Sequence, residues 1–525
     1  MKDLPTGIGT FSILIENDYI YVDKTKFIHK MAKPGKKYFL SRPRRFGKSL
    51  FLSTLKELYK GNKELFKGLY IYDKWDWSKT CPVIHLNMIK ASKNNLNGVK
   101  ESLNNLMDKL AYKNNIKLFG TDPSDKLAEI IEEISLKNNS KVVVLIDEYD
   151  KPILDNISDL KLADDIRKEL NNFYGVLKDD EFLEFVFVTG VTKFSKTSIF
   201  SGLNNLTDIS FENEYSNICG YSQKELESYF NEWILNLTKI FSVSQEEILN
   251  DIKSCYNGYS YNGYDFLYNP YSILSLFEMK KFDNFWFETG TPSFLMEYMK
   301  NNPDIKVLFN PNPIIEGSFP NFELNNLDFK TLLLQTGYLT IKKDISKDKK
   351  HSKYLLGIPN KEVNNSLYRT ILAFYTKHSI NDTESLTEPI LNAIITQDEE
   401  SLNTAFNVIL GSTPHQIYDG TNKNINEAFY KGLLFTALFT AGFNIQGEPS
   451  SHKGEVDFIL KNNDLIANIE VKSNDKNSYE YMIKEAMKQI HEKKYYQPYL
   501  NKKVILIAVA IKNREVKCKM EVLSN

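Results

Sequence analysis

Arginine is scarce in this chain of 525 residues: there are six, and lysine supplies nearly all the remaining positive charge. Cysteine is scarcer still. Cys81, Cys219, Cys255 and Cys518 lie far apart with no CxxC spacing, which excludes a disulfide framework and a structural zinc site and suits a reducing compartment. Charge of one sign is not in excess either. The formal net charge is −1, so no global field draws in nucleic acid, and any such contact must come from local patches. Long apolar runs are missing too. The longest candidate, Gly432 to Phe443, falls short of the roughly 18 to 20 residues a membrane helix needs and reads as a buried helix. Met1-Lys2-Asp3-Leu4-Pro5 leads into mixed sequence without the apolar core of a secretory leader, so the expectation is a cytoplasmic protein with no membrane partner. With 42% hydrophobic and 25% charged residues, the composition is ordinary for a globular chain, and its length predicts about two to four domains.

What is present is concentrated. Three of the six arginines fall in Leu40-Ser41-Arg42-Pro43-Arg44-Arg45-Phe46-Gly47-Lys48-Ser49-Leu50. Guanidinium forks match phosphate oxygens two at a time, and Gly-Lys-Ser closes a phosphate-binding loop. A short apolar run before the loop and helical spacing after it (Leu50, Phe51, Leu55, Leu58) give the strand, loop and helix such a loop requires. Residues Arg42, Arg44, Arg45, Phe46, Gly47, Lys48, Ser49 and Leu50 are therefore the candidate nucleotide cradle. Lys48 would reach the outer phosphates, and the Ser49 hydroxyl would ligate Mg²⁺. The usual pattern has glycine five residues before Gly47, where this chain has Arg42.

Lys141 to Glu148 is an aliphatic run ending in two carboxylates. It reads as a central parallel strand, buried on both faces, whose carboxyl end meets ligand. Asp147 there would hold Mg²⁺, and Glu148 would polarise the attacking water. A third strand, Phe185 to Val188, runs into Thr189-Gly190-Val191-Thr192. Thr189 and Thr192 are candidates to touch the γ-phosphate or the water; the alternative for each is a turn cap. Lys193 and Lys196 follow.

Together with Tyr21-Val22-Asp23-Lys24-Thr25, Leu145 to Asp150 and Thr189 to Ser195, the arginine-rich loop resembles the AAA-ATPase-like family. Its bacterial and archaeal members commonly end in a PD-(D/E)XK nuclease-like domain. An arginine in place of the first loop glycine matches that family's own pattern. The resemblance implies ATP as cofactor, with relatives among the AAA and STAND-like switch ATPases.

From Ser222 the pattern turns helical, then breaks at Tyr256 to Asn269, which holds several tyrosines and reads as a turn-rich hairpin packed on the ATPase core. Leu332 to Thr340 and Tyr354 to Pro359 suggest a helix-plus-strand unit like a winged helix, and 361–419 is mostly helical in pattern. Arg167 and Arg369 are each either an arginine finger or a surface ion pair.

The C-terminal part carries a second constellation. Gly454 to Leu460 reads as a strand with Asp457 in mid-register, followed by a turn and a strand, Leu465 to Val471, running into Ile469-Glu470-Val471-Lys472. Glu470 and Lys472, two apart, leave one face of their strand. A hairpin brings Asp457 beside them, and two close carboxylates call for a divalent cation, Mg²⁺ or Mn²⁺, between them. Lys472 would orient or help deprotonate the water. Glu427, on the preceding helix, is a further metal or supporting carboxylate, and Gln489 supports the site from a later helix. The ordered set Glu…Asp…Glu-Val-Lys…Gln resembles a PD-(D/E)XK nuclease core; the alternative is a half-exposed hairpin with an ordinary ion pair.

The expected fold class is α/β. A P-loop NTPase (AAA/STAND-like) domain spans 1–220, a helical and winged-helix-like lid 221–375, and a helical linker with a restriction-endonuclease-like α/β domain 376–525, its core about 420–512. The expected function is nucleotide-regulated, metal-dependent cleavage of nucleic acid, with DNA ahead of RNA. Against it stands an ATP-dependent signalling or assembly switch, homo-oligomeric in operation, whose nuclease-like domain only binds. A metabolic kinase explains the loop and nothing of the C-terminal set.

Overall fold

The computed structural model describes residues 2–178, 181–194, 205–288, 314–316, 328–347, 352–413, 425–447, 457–462, 465–494 and 496–523. They fall into two compact units, one within Met1–Gly290 and Ile314–Glu362, the other within Val363–Asn525.

The first unit is built on five parallel strands: β1 (Lys36–Ser41), β2 (Val83–Asn87), β3 (Val142–Asp147), β4 (Leu183–Gly190) and β5 (Leu206–Asp208), ordered β2-β3-β4-β1-β5. Every residue of β3 is buried. Helices cover both faces of such a sheet, so its strands read as unbroken apolar runs and not as alternation. Since all five strands are parallel, their carboxyl ends gather on one edge. Ser41, Asp147 and Gly190 are therefore close in space although far apart in sequence, with Leu40 and Ser41 registered against Thr189 and Gly190. The helix Lys48–Tyr59 leaves that edge directly after the loop.

Helices Gln223–Phe241, Gln245–Tyr256 and Pro270–Met279 form a second core around Phe230, Trp233, Ile252 and Phe277. The first opens with a capping box, Ser222 with Glu225, and the last is capped by the Asn269 side chain. Between them, Tyr259 and Leu267 pair through two backbone hydrogen bonds, so Tyr256 to Asn269 does double back. Tyr259 and Tyr261 pack edge-on against Phe46, with centroids 4.9 and 6.2 Å away. β8 (Ile314–Glu316), β9 (Thr340–Asp344) and β10 (Lys353–Gly357) form a small antiparallel sheet ordered β8-β10-β9, preceded at β9 by the helix Phe329–Thr336.

The second unit holds helices Lys361–Thr376 (from Val363 on), Thr383–Thr396, Glu399–Gly411, Ile425–Thr440 and Tyr479–Lys493. Its five-stranded sheet is ordered β11 (Asn444–Gly447), β12 (Phe458–Asn462), β13 (Leu465–Ser473), β14 (Lys503–Lys512) and β15 (Glu515–Leu523). β13 and β14 are parallel, and the helix Tyr479–Lys493 crosses between them. Ile459, Ile466, Ile490, Val504 and Leu506 fill that side. β12 begins one residue after Asp457, so the acid stands at the mouth of the hairpin and not in mid-strand. Among the described residues, no helix is long and apolar enough to cross a membrane.

One glycine fixes how tightly the first sheet closes over its edge. A Cβ on Gly190 would lie 2.4 Å from the Tyr149 ring and 2.6 Å from Asp150 Oδ1. Gly190→Ala should cost about 1–3 kcal/mol of stability, as overpacking does. The check is a downward shift of the first unit's urea midpoint, with the second unit's unchanged.

Candidate functional site

β1 ends at Ser41, and the chain then turns through Arg45 (φ 65°) and Gly47 (φ 94°) into the helix that starts at Lys48. Left-handed residues within a short loop turn successive backbone amides to one side, which makes an anion-binding concavity. Arg44 to Phe51 line a cavity of about 540 Å³. Its other walls include Ile8, Val22, Lys24, Glu148, Cys219, Tyr221 and Tyr271.

Lys48 is buried, and its ammonium donates to the carbonyls of Arg42 (2.9 Å) and Pro43 (3.0 Å). It lies over the loop it springs from, a charge at the heart of the concavity. Ser49 Oγ donates to Asp147 Oδ2 at 2.6 Å, and Thr189 Oγ1 donates to Asp147 Oδ1 at 2.8 Å. One carboxylate thus joins the start of the helix to the ends of two strands. A hydroxyl and a carboxylate oxygen in contact are the ligand types Mg²⁺ takes beside phosphate oxygens. The residues fit that ion.

Glu148 sits in the left-handed region (φ 53°), which a non-glycine residue adopts only under constraint, and it lines the cavity. Burial pushes its carboxyl above the ordinary range, opposed chiefly by Lys48 and also by Arg44. Such a group is a better proton acceptor than an exposed glutamate.

Three sequence candidates are placed otherwise than expected. Arg42 does not face the cavity. It is fully buried, and its fork donates to the carbonyls of Ser41, Ser210 and Tyr215 at 2.9, 2.5 and 3.1 Å, with its carbon 3.6 Å from the Tyr261 ring centre. A planar cation with five donors suits a cluster of carbonyls, so the residue in the glycine's place is structural. The Thr189 hydroxyl is taken up by Asp147. Thr192 donates to Asp150 Oδ2 at 2.6 Å, and Asp150 also accepts from the Val191 and Thr192 amides. Both threonines are buried. Of the remaining basic residues, Lys193 pairs with Asp208 at 2.7 Å, and Lys196 lies outside the described residues. Arg167 pairs with Asp164 and Arg369 with Glu384.

The sequence reading missed Lys24, which lines the cavity and donates to Glu225 (2.7 and 2.8 Å) and the Asn217 carbonyl. Its signal was there, inside Tyr21 to Thr25, but its partner is 201 residues away.

In the second unit, the Val471 amide donates to Asp457 Oδ2 at 2.7 Å, which locks the acid across the hairpin. Lys472 Nζ contacts Glu470 Oε1 at 3.1 Å and donates to Gln489 Oε1 at 2.6 Å. Glu470 Oε2 is buried and has no hydrogen-bond partner among the described residues; Asn468, on the same strand face, buries both ends of its amide likewise. Burial first, and the Asp457 charge next, hold the Glu470 carboxyl above its usual range against the pull of Lys472. An orphaned carboxylate oxygen of this kind fits a divalent cation. Lys431, absent from the sequence reading, places its ammonium 2.8 Å from Asp457 Oδ1. It stands one helical turn after Glu427, whose side chain lies outside the described residues. Among the described residues no three His, Cys, Asp or Glu gather to hold a metal. Asp457 and Glu470 are two, enough for Mg²⁺ completed by water and phosphate.

Residues 5–200 match the family model described as predicted AAA-ATPase, and residues 425–521 match that of the PD-(D/E)XK nuclease superfamily. An uncharacterized protein in the vnfD 5′ region of Azotobacter chroococcum mcd 1 is 34% identical over 461 residues, 87% of each chain. Among solved structures, the Walker-type ATPase of Pyrococcus abyssi is 10% identical, covering 66% of this chain and 94% of its own, at a TM-score of 0.32. Cdc6p of Pyrobaculum aerophilum is 11% identical, covering 67% and 95%, at 0.25.

Replacing Arg42 tests its structural placement. Arg42→Ala strands three carbonyls and should cost about 3 kcal/mol, and Arg42→Lys, lacking the fork, should recover less than half. Chemical denaturation of the two variants measures both.

Proposed function

Because the chain belongs to the AAA-ATPase-like family and ends in a PD-(D/E)XK nuclease superfamily domain, we propose that it binds and hydrolyses ATP with Mg²⁺ in the first unit, and that the nucleotide state governs metal-dependent cleavage of nucleic acid in the second. The supporting observation is the buried Glu470 Oε2, without a hydrogen-bond partner among the described residues, beside Asp457 and Lys472. A carboxylate held in this way raises the energy of the metal-free protein, and a divalent cation relieves it.

In this reading Lys48 and the loop amides hold the phosphates, Ser49 and Asp147 hold Mg²⁺, and Glu148 takes a proton from the attacking water. In the second unit Asp457 and Glu470 would hold Mg²⁺ or Mn²⁺, which supplies charge neutralisation at the scissile phosphate. Lys472, steadied by Gln489, would orient the attacking water. Glu427 is a candidate for a further carboxylate there.

A second reading rests on Lys431. Its ammonium already neutralises Asp457, as in a domain that binds without cutting, and the chain would then be an ATP-dependent switch.

Two outcomes are expected. With single- and double-stranded DNA and RNA, with Mg²⁺ or Mn²⁺, and with or without ATP, wild type should cleave one class of substrate. Glu470→Ala should not, while keeping its nucleotide affinity; Lys48→Ala should lose nucleotide binding. Equal cleavage by Glu470→Ala and wild type would overturn the nuclease assignment, and intact ATP hydrolysis with no cleavage would favour the switch. Separately, Mn²⁺ at a hundred times its Kd should stabilise the wild-type second unit by about 2.7 kcal/mol. In thermal melts Glu470→Gln should lose that gain, and Lys431→Met should reach it at lower Mn²⁺, since no ammonium competes for Asp457 Oδ1.

A further inference from the structure

The six arginines divide cleanly. Arg42 is buried among carbonyls. Arg167 and Arg369 are held in ion pairs with Asp164 and Glu384, at 2.8 and 3.0 Å. Arg514 donates to the carbonyls of Leu410 and Thr413. Only Arg44 and Arg45 line the cavity, and neither guanidinium makes a hydrogen bond or ion pair to a described residue. Arg45 is exposed and stacks over the Tyr271 ring, 4.8 Å from its centre. Arg44 is half-buried on the same wall set as Lys48 and Glu148, and its charge acts on the Glu148 carboxyl.

The main chain of Arg44 is fixed where its side chain is not. Its carbonyl accepts from Trp286 Nε1 at 3.2 Å and Asn269 Nδ2 at 3.4 Å. A fork with no hydrogen-bond or ion-pair partner among the described residues, carried on an anchored backbone beside a carboxylate and a buried lysine, suits an anion.

We propose that Arg44 supplies, from within the phosphate loop itself, the arginine that stabilises the γ-phosphoryl during hydrolysis, so that the reaction needs no arginine from a second copy of the chain. This rests on the nucleotide reading of the cavity. In the reaction, the water oxygen bonds to the γ-phosphorus while the bond from that phosphorus to the β–γ bridging oxygen breaks. The electron pair stays on ADP, and the water's proton passes to Glu148 and then to the released phosphate. Arg44 donates two N–H groups to γ-oxygens as their charge is redistributed. The three other candidates for an arginine reaching across from a neighbour, Arg167, Arg369 and Arg514, are already engaged.

The test compares Arg44→Ala, Arg44→Lys and Lys48→Ala for affinity toward a fluorescent ATP analogue and for ATP turnover. Arg44→Ala should lower kcat on the order of 10³-fold, the lower range for an arginine of this role. Its analogue affinity should change far less, and Arg44→Lys should recover little. Added guanidinium ion should raise the turnover of Arg44→Ala and not that of Lys48→Ala. Wild-type turnover per chain should stay constant on dilution to where light scattering reports a monomer. Wild-type kcat in Arg44→Ala, or wild-type turnover that collapses on dilution, would overturn the proposal. So would an Arg44→Ala variant that loses nucleotide as completely as Lys48→Ala, since the residue would then serve binding. A wild type that binds no ATP sinks the nucleotide reading itself, a separate result.

Discussion

A buried guanidinium holds the first unit's working edge in shape. Arg42 stands where a phosphate loop usually has glycine, and its fork gathers the carbonyls of Ser41, Ser210 and Tyr215. Those carbonyls belong to the end of β1 and to the chain beyond β5, and Tyr261 of the hairpin lies against the cation's face. Burial disfavours the charge, so the arrangement persists only because the acceptors are placed for it. The loop that follows therefore has a fixed origin, from which Arg44, Lys48 and Ser49 take their positions.

The same economy recurs at Asp147. One carboxylate accepts from Ser49 and from Thr189, so a helix start and two strand ends are joined through a single side chain. Next to it, Asp150 collects the Val191 and Thr192 amides and the Thr192 hydroxyl. Beyond that, the Lys193 amide donates to Gln335 of the helix Phe329–Thr336. Each bond is individually modest, but in a low-dielectric interior such chains reinforce one another.

The sequence disclosed whatever was local. The apolar run of β3, the Gly-Lys-Ser loop with its helix, and the Glu470/Lys472 spacing follow from periodicity, and the structure has them. Direction was harder to read. Nothing in a cluster of three arginines says that one turns inward, because that depends on carbonyls 168 and 173 residues later. Thr189 near the end of β4 and Thr192 just beyond it turn their hydroxyls to Asp147 and Asp150 and not outward. Lys24 and Lys431 escaped notice because lysine is the chain's commonplace cation, and only a distant or cross-element partner, Glu225 or Asp457, distinguishes either one. Asp457 stands at the entrance of β12 and not in mid-strand, where its carboxylate is taken up by the Val471 amide of the neighbouring strand, a contact no strand pattern discloses.

The indole that grips the Arg44 carbonyl has a consequence of another kind. Trp286 is one of four tryptophans in the chain, largely buried, with its N–H committed to the phosphate loop. Indole emission follows the polarity and hydrogen bonding of its surroundings, so the loop carries a built-in optical reporter. Its state can be followed by fluorescence with no attached dye, once the other three tryptophans are replaced.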